Sequence, residues 1–240
     1  MKVLGSRNRV SHRLVPARLV RHSPCIMRIA VAILLTLTVA TLVSGANARA
    51  DDMARALAAL RHDWVKVYYR MPEGQQIAAF PALTARADSI VAQYPNAAEP
   101  LIVKAVILAT YAEVKGGLDA LSRVEAARDA ALQAAKIDDK EDDAGAYTAL
   151  GVLYYKVPGW PIGFGNNRKA KEYLDRALAI APAAIDANYF MGDFLLEQGD
   201  KRQARAFLEK ARAAPLRPGR EDEDAGRRER IEADLAKLDR

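Results

Sequence analysis

Cysteine is almost missing from this chain: Cys25 is the only one in 240 residues, and it precedes the apolar stretch from Ile29 to Val43. Beyond it there is no disulfide framework, no thiol nucleophile and no thiolate metal site, nor a cysteine placed for lipidation after a signal. Histidine is scarce as well, and of the three present only His62 lies beyond residue 50. A metal site would have to be built from carboxylates, and a Ser-His-Asp set could pass only through His62. Acidic residues are absent from the first 50 positions, which carry eight Lys or Arg. Taking those eight from the 36 basic residues leaves 28 against 30 acidic ones, a formal charge of −2 for residues 51–240. The basic isoelectric point belongs to the leader, so the folded part lacks the basic balance expected of a nucleic-acid partner. Aromatics are few and β-branched runs are rare outside Ile102 to Ile107, whereas Ala and Leu abound. That composition favours helices over strands and predicts an all-α domain.

Residues 1–50 read as a secretory signal peptide with an Arg-rich extension. Arg28 precedes the apolar stretch, and small residues run to Ala46-Asn47-Ala48-Arg49-Ala50 before Asp51. Cleavage after Ala48 or Ala50 satisfies the small-residue rule, the second giving a mature chain that begins at Asp51. Met27 offers an alternative start with a compact tripartite leader. The apolar stretch is short against the roughly 20 residues of a membrane span. The expectation is a periplasmic protein that meets the membrane only through this segment, the alternative being an uncleaved inner-membrane anchor.

Two imperfect copies of one helical-hairpin pattern occupy residues 144–182 and 185–215. Tyr147, Leu150, Gly151 and Tyr154 recur as Asn188, Met191, Gly192 and Leu195, and Ala170, Leu174, Ala177 and Pro182 recur as Ala204, Leu208, Ala211 and Pro215. Gly151 and Gly192 are small enough to admit a partner helix, and the alanines put small residues on one face. The ordered set resembles the tetratricopeptide repeat, with its W-x2-L-G-x2-Y, A-x3-F and later Pro over about 34 residues. Asn188 replaces the expected aromatic, and Leu174 and Leu208 replace Phe.

Upstream, periodicity and breakers predict two more hairpins, Met53 to Arg70 with Gln76 to Tyr94, and Leu101 to Tyr111 with Leu121 to Ile137. Downstream, a polar helix from Glu223 to Leu238 carries an Ile231, Leu235, Leu238 stripe suited to covering the last face of an array. The fold expected is a tetratricopeptide-like array of about four hairpins with a C-terminal cap over 223–238.

A wider resemblance rests on Gly116-Gly117-Leu118, on Ala146 to Tyr155, on Val157 to Asn166, on Asn188 to Leu195 and on Ala214 to Arg220. These segments look like an exported bacterial tetratricopeptide-repeat family similar to the T-component of tripartite ATP-independent periplasmic (TRAP) transporters. The resemblance implies an all-helical periplasmic protein that contacts a substrate-binding protein, trimerises and holds an apolar ligand in an internal pore. T-components of that type are lipoproteins, and the lipidation cysteine is missing.

Gly151 to Gly192 spans 41 residues against a period of about 34, so the first clear repeat carries seven extra residues, and they fall in its inter-helix turn, Val157 to Asn167. Pro158 and Pro161 restrict the backbone there while Gly159, Gly163 and Gly165 permit turns, so the loop should be shaped. Trp160 and Phe164 are candidate anchors for a partner or an apolar ligand. The competing reading folds both rings back as a plug over the core, because exposed apolar patches are uncommon. Tyr154, Tyr155, Tyr189 and Phe190 are candidate groove residues at helical spacing, with core packing as their default. Asp138, Asp139, Glu141, Asp142 and Asp143 lack calcium-loop spacing and read as a solvated helix start. No catalytic constellation, metal set or cofactor motif emerges. The function expected is a periplasmic protein-interaction scaffold, an accessory to a TRAP-type uptake system, with a chamber for an apolar small molecule as the alternative.

Overall fold

A computed structural model describes residues 48–117 and 119–239; the signal-peptide reading falls almost wholly outside them. The described residues form α1 (48–65), which continues into a π-helical turn at Lys66–Arg70, then α2 (Glu73–Gln93), α3 (Ala98–Lys115), α4 (Asp119–Ile137), α5 (Glu141–Lys156), α6 (Asn167–Ile180), α7 (Ile185–Glu197), α8 (Lys201–Ala213) and α9 (Glu221–Leu238). No strand occurs among the described residues. Successive helices pair as α1 with α2, α3 with α4, α5 with α6 and α7 with α8, followed by α9. This is an all-α tetratricopeptide-like array.

The spacing of small residues explains the pairing. A β-carbon on Gly151 would lie 2.6 Å from Leu174 Cγ, and one on Gly192 would lie 2.8 Å from Leu208 Cγ. Each inner helix therefore presses a bare backbone onto a leucine of its outer partner. The outer faces match that geometry: Ala127, Ala131 and Ala134, then Ala170, Leu174 and Ala177, then Ala204, Leu208 and Ala211 are all fully buried. Burying a leucine side chain contributes roughly 1.5–3 kcal/mol. Asn188 also has a structural role where an aromatic was expected. Its Nδ2 donates to the carbonyls of Pro182 at 2.9 Å and Ala184 at 2.8 Å, tying the third hairpin to the fourth.

The first hairpin has its own core of Leu57, Leu60, Trp64, Phe80 and Leu83, continued onto α3 through Ile107 and Tyr111. Phe80 and Tyr111 stack at 5.1 Å. At the far end, Ile231 and Leu235 of α9 are buried against Ile185, Tyr189 and Leu208. That contact is the cap the apolar stripe predicts, but α9 also reaches across the array to α1. Gly226 sits on the Tyr69 ring, and Arg70 pairs with Glu229 at 2.7 Å.

One local irregularity bears on the interior. Asp142, Asp143 and Ala144, at the start of α5, are all left-handed with φ of 53°, 54° and 59°. The turn folds Asp142 back over Gly145, whose absent side chain would meet the Asp142 carboxylate at 3.2 Å.

Candidate functional site

The inner helices and α9 surround a cavity of about 930 Å³. Its wall follows from the repeat. Gly145, Thr148, Ala149 and Val152 of α5 line it, and so do Asp186, Tyr189, Phe190 and Asp193 at the matching positions of α7. Spacings of three and four residues place each set on one helix face. Val106 and Ala109 of α3, Trp64 of α1, Tyr68 of the π-helical turn that follows it, and Arg227 and Arg230 of α9 also line the cavity.

One side of this interior is a network of charges. Arg61 reaches Asp142 at 2.9 Å and Glu99 at 3.3 Å. Arg220 binds Asp142 and also Glu223, the latter at 2.6 Å. Arg217 binds Asp186 at 2.7 Å and Asp224 at 2.5 Å, and Arg227 binds Asp186 at 2.6 Å. Glu99 and Asp186 stand in the first turns of α3 and α7, where a negative charge complements the helix dipole, and Asp142 stands in the left-handed turn that leads into the regular part of α5. The arginines come from α1, α9 and the linker between α8 and α9, so the network joins the first and last helices to the inner row. Burial alone would raise the Asp186 carboxyl, but the Arg217 and Arg227 guanidinia outweigh it and hold that group well below the usual carboxylate range. Breaking such a buried pair costs far more than the pair itself adds.

Aromatic hydroxyls are used in the same way along the wall. Tyr68 donates to Glu113 at 2.5 Å, Tyr155 to Asp193 at 2.7 Å and Tyr189 to Asp234 at 3.2 Å. Burial first, and then these neighbouring carboxylates, push the three phenols upward, so they stay protonated donors. Trp64 donates its indole N–H to Thr110 at 3.0 Å and stacks on Tyr68 at 5.5 Å.

The residues singled out in the sequence divide into separate groups. Tyr189 and Phe190 line the cavity, while Tyr154, Tyr155, Trp160 and Phe164 do not. Tyr154 and Tyr155 are buried in the hairpin core. Phe164 packs edge-on to Tyr154 at 5.3 Å, under the Arg128 guanidinium at 4.5 Å. Trp160 is 90% exposed and stands off the cavity, whereas Ile162 and Pro158 of the same insert line it. The insert thus splits between plug and display. It is also shaped: Gly165 N donates to Pro158 O at 2.9 Å, Asn166 N to Tyr154 O at 2.7 Å, and the Asn166 side chain caps α6 through Lys169 N. A β-carbon at Gly165 would meet the Val157 carbonyl. The Trp160–Pro161 peptide bond is cis.

The acidic segment requires a correction. Asp142 is no solvated helix start but a largely buried partner of two arginines, because the left-handed turn directs it inward. Arg61, Trp64, Tyr68, Arg227 and Arg230 escaped the sequence reading altogether. Their common trait is residence on the two terminal helices, which no repeat register aligns. The Leu216 to Arg220 segment, conspicuous in the sequence, was the available signal for Arg217 and Arg220.

Among the described residues no group of three or more His, Cys, Asp or Glu is placed to hold a metal ion, and no helix is long and apolar enough to cross a membrane. A search of curated proteins finds no match for the chain. The tetratricopeptide repeat family matches residues 162–215, which run from the Trp160 loop through α6, α7 and α8. Such repeats generally mediate protein–protein interaction and are generally non-enzymatic. The match and the Gly-on-Leu helix crossings together make this chain an all-α array of tetratricopeptide-like hairpins.

Proposed function

We propose that this protein is an exported periplasmic scaffold whose interior serves as a chamber for an apolar small molecule. The observation that carries the chamber is the 930 Å³ cavity with Val106, Ala109, Val152, Leu153 and Phe190 on its wall. That volume is in the range of ligand sites; the apolar residues form one part of the wall and the paired charges the other. An open tetratricopeptide groove would favour an extended peptide, but here α9 crosses from the last hairpin to α1 and takes that place. Native mass spectrometry after gentle purification tests the reading: a bound apolar species of constant mass is expected, and an empty protein under conditions that keep it folded counts against it.

A second role is favoured by one further observation. Trp160 is displayed on a well-bonded loop, and exposed aromatics of this kind concentrate binding energy when a partner covers them. The resemblance to the TRAP T-component suggests a substrate-binding protein of a TRAP-type system as that partner. Capture of that protein from periplasmic extract, lost in Trp160→Ala, supports the assignment; genes for a TRAP permease and substrate-binding protein missing from the neighbourhood argue against it. Export itself is tested by N-terminal sequencing of the mature protein. A start at Asp51 or Arg49 is expected, and an intact leader favours the anchored alternative.

A further inference from the structure

The wall of the cavity carries many charges, and nearly all are already satisfied. Asp142, Asp186, Asp193, Asp234 and Glu113 each accept a hydrogen bond from a protein donor. Asp143 is exposed and keeps its hydration. Of the cations, Arg61, Arg217, Arg220 and Arg227 belong to the buried network. Lys156 binds Asp193 at 2.8 Å and Lys237 binds Asp234 at 2.6 Å.

Arg230 is different. Among the described residues no hydrogen bond reaches its guanidinium; its one charged partner is the Glu113 carboxylate, a loose ion pair at 3.9 Å from Nη1, too long for a hydrogen bond. The group is nevertheless held in place, 4.5 Å from the centre of the Tyr68 ring and 5.4 Å from that of Tyr69. Its side chain is only 36% exposed, so it has lost much of its hydration. A guanidinium donates in its own plane through a fork of N–H groups, so contact with aromatic faces leaves those donors open. Arg230 stands one turn beyond Arg227 on the face of α9 that lines the cavity.

We infer that Arg230 is the head-group anchor of the chamber and that the ligand is an amphipathic anion, an apolar chain ending in one carboxylate or phosphate. The inference rests on the chamber proposed above and names its ligand class. The chain would lie against Val106, Ala109, Val152 and Leu153, and the anion would take the two parallel bonds that a guanidinium offers to such oxygens. A cationic head meets no buried carboxylate free to receive it and is repelled by Arg230, and a neutral head leaves the Arg230 N–H fork without a charge-assisted acceptor.

The test compares dodecanoate, dodecyl phosphate, dodecanol and dodecylammonium by calorimetry on the mature protein. Dodecanoate or dodecyl phosphate should bind at least about tenfold more tightly than dodecanol, the stronger of the two identifying the head. Arg230→Met should bring the anion down to the affinity of dodecanol and leave dodecanol within about twofold, while Arg230→Lys retains part of the preference. Equal binding of dodecanol and both anions, a preference for dodecylammonium, or an unchanged preference in Arg230→Met overturns the anchor and leaves the chamber standing. Binding of none of the four overturns the chamber and the anchor together. Where Arg230→Met fails to fold by circular dichroism, Arg230→Gln and the wild-type ligand ranking decide.

Discussion

Gly226 of α9 lies flat on the ring of Tyr69 at the end of α1: a β-carbon there would be 2.7 Å from Cγ. The two residues are far apart in the chain, and their contact joins the last helix to the first. In an exposed helix interior, replacing Gly by Ala would add about 1 kcal/mol of stability. Here Gly226→Val should instead cost roughly 1–3 kcal/mol through overpacking, and it should prise α9 from α1. Chemical denaturation measures the first effect, and quenching of Trp64 fluorescence by acrylamide in a Trp160→Phe background measures the second. A variant as stable and as protected as the parent would sink the closure.

Asp186 sets an acid limit on stability. Its carboxyl is depressed below the ordinary 3.8, so its contribution is present above the unfolded value of about 4 and is lost as the pH falls through the folded one. Stability should therefore decline as the medium is acidified below about pH 4. Asp186→Asn should flatten part of that decline and cost about 3 kcal/mol or more at pH 7, since Arg217 and Arg227 stay behind without their carboxylate. Urea midpoints across the acid range provide the comparison.

The two aromatic rings of the insert should respond oppositely. Trp160→Ala removes an exposed side chain and should change stability by no more than about 0.5 kcal/mol. Phe164→Ala removes a ring packed on Tyr154 and should cost about 2 kcal/mol. If partner capture per folded molecule survives in Trp160→Ala, the docking role fails while the packing assignment stands.

The left-handed turn can be tested without touching the cavity's ion pairs. Asp143 is exposed and adopts a φ of 54°, which costs a residue with a β-carbon roughly 1 kcal/mol relative to glycine. Asp143→Gly should raise the unfolding free energy by about that amount, read from thermal or denaturant melts. A loss of stability would argue against this backbone at position 143.

Much of the array is legible because its determinants are local. Gly151 with Leu174, and Gly192 with Leu208, lie within single hairpins, so a small residue at the crossing and a leucine opposite recur at a spacing that can be aligned. The Ala127, Ala131 and Ala134 row is readable in the same way. The candidate site was far less accessible. Tyr189 and Phe190 were singled out from helical spacing, but spacing cannot tell a wall from a core, and Tyr154 and Tyr155 with the same pattern are packed inside. Trp160 and Phe164 sit four residues apart in one loop, and only the folded loop separates the ring that plugs from the ring that is shown.

The amino-acid sequence by itself determined the helices, their pairing and the shaped insert, because capping, breakers and small-residue spacing act within a few turns of chain. Tertiary structure decided the closure of α9 on α1, the inward turn of Asp142 and the placing of Arg230 against Tyr68, Tyr69 and Glu113 on the cavity wall. Those depend on how small rotations between successive hairpins accumulate until the ends meet, and no local window of sequence carries that sum.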